Sequence, residues 1–554
     1  MFSTATASTT RAAARRLLPR SPRFFSTSTR TSRTPVSPVR TVLAFAAGAS
    51  VVAVAAALGA GPGQPLFADS AESVTPKTKV PRTEYARDAR GLYVWGSNAA
   101  GLVDPRTAPP VGSVSTDPTA DVRGESCVKR PQRMRFFDGV ALRGVVFGDD
   151  VAVAIDARGD VFQWGHRFAP TAADPIRTLT GLDIVQVHVA RDALFALSRS
   201  GTLYMVPVEA AAQAQMSGTD PLTLPRATPA TRSESPKSSS SWWPFGRSAQ
   251  PATATWPTLA IQGDSIADVR AGDDHVVVRT KKGEVYSAAL APRAVAAGAL
   301  GRGVQPGETQ VDEDGNVDRV VPQLHKVEVV GKVDEIAAGA AHALARTSDG
   351  RVFAWGTNTH GQLCLGTWTK ATEIVVLPTE IRPRKDASVQ SIAAAGQMSA
   401  FITTTPTTGT TDVLVCGNGQ FGTLGHGQYI HVQPSAVTVK EISNRTEYSE
   451  TAKKIVPIGI RTLALGPYHA AAVLQGTMAP LGNDVLFWGA GTCYATAQAR
   501  RKHLATPVPG HPLPWRFGEG HAEVENGDGI DRMLVRDDQE VVVGPTVSCV
   551  YSKA

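Results

Sequence analysis

The chain has 554 residues, more than the roughly 150 of one ordinary domain, so it holds several domains or one large repeat. Its 42% apolar content suffices for a core, while 6% aromatics, 51 glycines and 38 prolines describe short strands and turns and argue against a helical bundle. Five cysteines, at 127, 364, 416, 493 and 549, lie at least 52 residues apart with no C-x-x-C pair, so neither a disulfide framework nor a zinc ribbon can be read.

The formal charge of +7 comes from one end of the chain. Residues 1–61 hold eight arginines, no lysine and no acid, and without them 48 Lys and Arg face 49 Asp and Glu. What remains lacks the clustered positive field that phosphate binding needs, so no nucleic-acid partner is expected.

Taken in order, residues 1–25 combine Arg, Ser and Thr with a basic amphipathic stretch, RAAARRLLPR, the composition of a mitochondrial transit peptide. The string Arg23-Phe24-Phe25-Ser26 resembles the site of the matrix peptidase, with cleavage between Phe25 and Ser26. Residues 42–60, ending at Val42 and Ala60, are nineteen in number and uncharged; as a helix they span about 28 Å, enough for one transmembrane helix. Pro62 and Gly63 stop that helix, and 61–84 form a linker. With Arg40 kept in the matrix and Asp69 and Glu72 beyond the span, the rest of the chain is expected to face the intermembrane space from the mitochondrial inner membrane.

From residue 85 onward the sequence repeats. The clearest copy, VDEIAAGAAHALARTSDGRVFAWGTNTHGQLCLG at 333–366, reads as an inner strand (IAAGAAHALA), a tight turn at Asp349-Gly350 and a returning strand ending in Trp355-Gly356. Small residues in the first strand suit a crowded propeller axis. From Gly339 to Gly350 is 11 residues, and the same offset separates Gly148 from Gly159, Ala190 from Gly201 and Gly272 from Gly283. Further inner strands surround Gly396, Gly466 and Gly544, making seven; returning strands, also seven, carry Trp95, Trp164, Tyr204, Tyr286, Trp355, Cys416 and Trp488. The chain opens on a returning strand and closes on an inner one. The expected fold is therefore all-β, a seven-bladed β-propeller over 85–554, closed by pairing the N- and C-terminal strands. Long spacings place insertions at 209–258, 291–325, 428–458 and 499–535; Trp242, Trp243 and Phe245, in the first, are candidate partner contacts.

The order AGxxH, DG, VxxWGxNxxGQL resembles the regulator-of-chromosome-condensation repeat, a family of seven-bladed propellers. WGTNTHGQLCLG, with Trp355, Gly356 and Gly361, follows its pattern, and CGNGQFGTLGHG, with Gly417 and Gly422, matches the same segment, while the third and fourth copies have lost the Trp-Gly pair. The resemblance implies no single function, since the family includes a nuclear guanine-nucleotide exchanger, photoreceptors, ligase modules and organelle-biogenesis members. Transit peptide, span and divergent propeller together look like the family's fungal inner-membrane member associated with assembly of the cytochrome bc complex, complex III. That implies a non-enzymatic scaffold whose partners are complex III subunits or assembly factors. The alternative is an exchange factor or mitoribosome-associated factor in mitochondria.

Apparent catalytic signals have plainer readings. GNGQFG, between Gly417 and Gly422, satisfies a dinucleotide pattern but belongs to the repeat's own turn, so no cofactor is expected. His275, His342 and His469 each follow the inner-strand glycine by three residues, which marks them as structural groups between blades. His503, His511 and His521 are spaced by eight and ten, unlike zinc ligands, and no catalytic constellation can be assembled.

Overall fold

The computed structural model describes residues 90–111, 113, 126–218, 221–223, 256–311, 317–406, 409–449, 453–476, 482–513 and 532–554. The transit peptide with Phe25 and Ser26, the stretch from Val42 to Ala60, the linker, and Trp242, Trp243 and Phe245 lie outside these residues. Among the described residues no helix is long and apolar enough to cross a membrane.

Seven antiparallel sheets follow one another along the chain. Blade 1 is built from Leu142–Phe147, Ala152–Asp156, Val161–Trp164 and Ile176–Leu179. Blades 2 to 6 begin at Ile184, Ile266, Val333, Ser388 and Ile460 and keep the same plan of four strands paired in sequence order. Blade 7 takes its inner strands, Gln539–Val543 and Val547–Ser552, from the C-terminal end and its outer strands, Leu92–Ser97 and Cys127–Arg133, from the N-terminal part. Tyr93 faces Val550 and Trp95 faces Ser548 across that junction, so the two ends of the domain share one ladder.

The stretch IAAGAAHALA is not one strand. It breaks at Gly339 into Val333–Ala338 and His342–Thr347, paired through Ala338 and Ala343, because a chain reversing at the axis needs a compact turn there. The Asp349-Gly350 turn then joins the second and third strands. Gly350 sits at φ +82, and Gly159, Gly201 and Gly283, at the same offset, lie at +87, +92 and +87. A β-branched residue is strained in that region whatever the space around it.

The segments read as insertions at 428–458 and 499–535 contain fourth strands, Ile430–Thr438 and Leu504–Pro509, and those at 209–258 and 291–325 end where the fourth strands Thr258–Leu259 and His325–Val327 begin. Outermost strands pack on one side only, as the half-exposed pattern of Ile374–Ile381 in blade 4 shows, and their apolar signal is correspondingly weak. Genuine additions are the helix Ala210–Ser217, the short helix Pro292–Ala296, and two hairpins, Thr309–Val311 with Val317–Val320 and Thr446–Ser449 with Lys454–Pro457.

Nor is the axis crowded. A channel of about 1390 Å³ runs between the innermost strands, lined by Val146, His188, Arg270, Glu335, Arg461 and Glu540 among others. The core lies instead between neighbouring blades, in clusters such as Met398, Ala400, Val415, Ala472 and Trp488, which join blades 5 and 6.

Candidate functional site

Two sets of side chains recur around the ring: those that hold blade to blade, and those on the loops at the channel mouth. In the first set, Trp95, Trp164, Trp355 and Trp488 are fully buried, and each indole N–H donates to a carbonyl on the loop after the third strand of the preceding blade. The acceptors are Ala495 at 3.0 Å, Leu102 at 2.9 Å, Ala299 at 3.1 Å and Thr423 at 2.8 Å. In blade 5 Cys416 occupies the tryptophan position, and its thiol reaches the equivalent carbonyl, that of Gln362, at 3.5 Å. Blades 2 and 3 place Val206 and Ala288 there, which have no donor to offer.

The glycine after each tryptophan permits close approach: a Cβ on Gly356 would lie 2.5 Å from the Ala341 carbonyl oxygen. Gly361 and Gly422 play the corresponding part outside, where the loops of blades 4 and 5 press on Pro434 and Ala505 of the next blade's outermost strand. Gly417 lies at φ +113 within the third strand of blade 5, Thr411–Gly419, and the GNGQFG segment leads into Ile430–Thr438 rather than a helix.

The three repeat histidines are buried in the seams. His342 Nε2 meets Ser399 Oγ of blade 5 at 2.9 Å, and that hydroxyl donates to the Gln362 carbonyl at 2.7 Å. His469 meets Ser548 of blade 7 at 2.7 Å, and Ser548 donates to Ala495 at 2.9 Å. The partner is thus a serine hydroxyl, with the backbone satisfied one step further on. His275 lacks such a partner on either ring nitrogen, because the residue of blade 4 in register with Ser399 is Ala343. Desolvation holds the imidazoles neutral, down to about 4 in His275 and about 3 in His342 and His469. His503 stacks on Phe421 at 5.3 Å and accepts from the Gly491 N–H.

The second set lies on the loops between first and second strands. These are laced by backbone hydrogen bonds: Arg191 N–H to the Asp273 carbonyl at 3.2 Å, Asp273 N–H to Ala340 at 2.9 Å, and Ala340 N–H to Gly396 at 2.8 Å. Blades 1 to 3 present Asp149 and Asp150, Arg191 and Asp192, and Asp273 and Asp274; the corresponding turns of blades 4 to 7 carry Ala340-Ala341, Gln397, Pro467-Tyr468 and Pro545-Thr546. Asp274 pairs with Arg191 at 3.0 Å and Arg293 at 3.1 Å, and Asp192 pairs with Arg167. Desolvation, then the like charges of Asp274 and Asp149, lift Asp273 to about 6 against the opposing Arg191. Asp150 is raised too, by desolvation and the charge of Asp149. Five aspartates and Arg167, Arg191 and Arg293 thus share one arc of the rim, where the like charges around Asp150 and Asp273 cost stability. Reading single histidines and tryptophans missed this arc, although Gly-Asp-Asp stands twice at the same repeat position, at 148–150 and 272–274.

Comparison with known proteins agrees with this geometry. Family models of the regulator of chromosome condensation (RCC1) repeat match residues 333–362 and 349–402, the hairpins of blade 4 and the entry to blade 5. Blade 4 and the entry to blade 5 carry RCC1 repeats. Among the chain's relatives, the mitochondrial RCC1 domain-containing protein RUG3 of Arabidopsis thaliana is 25% identical over 63% of this chain and 69% of its own length. Other relatives are matched over a small part of their length: 24% of the serine/threonine-protein kinase Nek9 of Xenopus laevis, at 24% identity over 46% of this chain. Human WBSCR16 superposes with a TM-score of 0.54 at 17% identity over 84% of this chain and 99% of its own, and yeast RCC1 (Prp20), solved bound to Kap60, with 0.51 at 16% over 85% and 91%. These solved structures share the fold.

Proposed function

We propose that this RCC1-repeat propeller is a membrane-tethered, non-enzymatic scaffold in mitochondrial respiratory chain biogenesis, serving assembly of complex III, with the propeller in the intermembrane space. The observation that carries the mitochondrial part is the acid-free, arginine-bearing N-terminus of residues 1–61, joined to a propeller similar to mitochondrial RUG3. The rim supports the scaffold part. Its loops are fixed by neighbour-to-neighbour backbone bonds, so a client is held on a preformed surface that loses little entropy on binding. The acidic arc of blades 1 to 3 suits a basic segment of that client. Tethering by residues 42–60 raises the effective concentration of the rim near membrane-embedded subunits, so modest contacts suffice.

Loss of the protein is expected to lower assembled complex III while its subunits are still translated, and a version lacking residues 42–60 but keeping 1–41 is expected to rescue poorly. Protease added to mitoplasts, and not to intact mitochondria, should degrade the propeller. Normal complex III with defective mitochondrial translation would overturn this reading in favour of an exchange or ribosome-associated role.

A further inference from the structure

Cys127 and Cys493 are 366 residues apart in the chain, yet their sulfurs lie 2.9 Å from each other. Cys127 opens the outermost strand of blade 7, Cys127–Arg133. Cys493 sits on the blade 6 loop whose Ala495 carbonyl receives both Trp95 and Ser548. Both are free thiols, Cys127 half-buried and Cys493 buried. The Arg501 guanidinium is 3.8 Å from the Cys127 sulfur and 5.4 Å from the Tyr494 ring centre, so one cation stands beside the pair.

We propose that Cys127 and Cys493 form a redox pair, which a low-molecular-weight disulfide converts into a bridge locking the seam between blades 6 and 7. The two thiols are unequal. The hydrogen bond shared with Cys493 and the charge of Arg501 bring Cys127 down to about 7, whereas that same contact and burial push Cys493 up. Cys127, lowered and the more exposed of the two, is therefore the attacking group. Its sulfur attacks one sulfur of the donor disulfide, forming a mixed disulfide and releasing one donor thiolate. Cys493 then gives up its proton to solvent and attacks the Cys127 sulfur, releasing the second donor thiolate. The protein loses two electrons and two protons, and the donor disulfide becomes two thiols.

The bridge spans the seam at which the N-terminal strands complete the ring, and it closes a very long loop of chain, which restricts the unfolded state. The proposal starts from this sulfur–sulfur contact and does not depend on the scaffold reading.

The test uses the purified, reduced full chain and glutathione disulfide at pH 7.5, followed by alkylation in denaturant and peptide mass mapping. Two of the five thiols should be lost and the Cys127 and Cys493 peptides linked, and the oxidised protein should melt a few degrees higher, reversibly with reductant. Cys493→Ser should stop at one glutathione on Cys127, and Cys127→Ser should leave Cys493 unmodified. A second measurement needs no variant: alkylation of Cys127 in the unmodified protein, followed against pH, should show a midpoint near 7. A midpoint at or above the ordinary thiol value of about 8.5, or a wild-type protein that stops at the mixed disulfide, would overturn the proposal.

Discussion

Blades 4 to 7 with blade 1, and blades 2 with 3, occupy the same ring and solve the seam problem differently. In the larger arc a third-strand donor, Trp95, Trp164, Trp355, Cys416 or Trp488, reaches back to the preceding blade. Where Val206 and Ala288 replace it, other groups cross the seams. Gln213 on the added helix Ala210–Ser217 bonds Gln163 of blade 1 at 2.8 Å, and Gln186 of blade 2 bonds Asp268 and the Val269 carbonyl of blade 3 at 2.9 and 3.0 Å. The charged rim loops fall on blades 1 to 3, beside the seams that have lost the tryptophan. Divergence from the repeat and concentration of charge coincide in one part of the ring, whereas the other part keeps the ring shut.

Ring closure is the most sensitive point of the larger arc. Deleting residues 544–554 removes Val547–Ser552 from the middle of blade 7 and is expected to cost much of a domain's roughly 5–15 kcal/mol, read as loss of the cooperative melt. A truncated protein melting like the intact one would refute the shared blade. Next comes Trp488→Ala, expected to lose about 3–5 kcal/mol in denaturant titration, against about 1–2 for Val206→Ala in the seam without the staple. Equal losses would erase the distinction between the arcs. Gly350→Val should cost more than about 1 kcal/mol through its backbone alone, since only the Ser388 hydroxyl lies near, at 3.5 Å; His503→Ala should do far less.

The seam histidines sharpen the comparison. Their folded pKa values are depressed, so their contribution is present above the unfolded value of about 6.5 and is lost as pH falls toward 3–4, at about 1.4 kcal/mol per pH unit for each. His275→Leu should make acid unfolding shallower by one such increment. The smallest change is Ala343→Ser, which supplies the hydroxyl that Ser399 gives His342 and should add about 0.5–1.5 kcal/mol.

Much of the propeller was legible because the repeat imposes conspicuous residues at fixed intervals. The four glycines at equal offsets lie at φ values within ten degrees of one another, and the seven returning strands are all third strands of blades. The reversal at Gly339 was hidden inside a uniformly apolar run, and the fourth strands were hidden by their half-exposed pattern. The Cys127–Cys493 contact was illegible for another reason: it depends on the last blade being assembled from both ends, and no local spacing encodes it. The rim arc stood in the open as two Gly-Asp-Asp strings, but adjacent acids look like ordinary solvated turns until the ring brings Asp149 toward Asp273.

The central claim is that the acidic arc is the working surface and the stapled arc its frame. It is tested most directly by the paired change Asp149→Asn and Asp273→Asn, assayed for restoration of assembled complex III and, on the purified protein, for melting temperature. Asp273 is raised, so its ionisation opposes folding: the penalty is absent below about 4 and complete once pH has risen through about 6. The double variant should therefore melt higher than wild type at pH 8, with no such gain at pH 4, and yet fail to restore complex III. Full restoration by this stable variant would contradict the account.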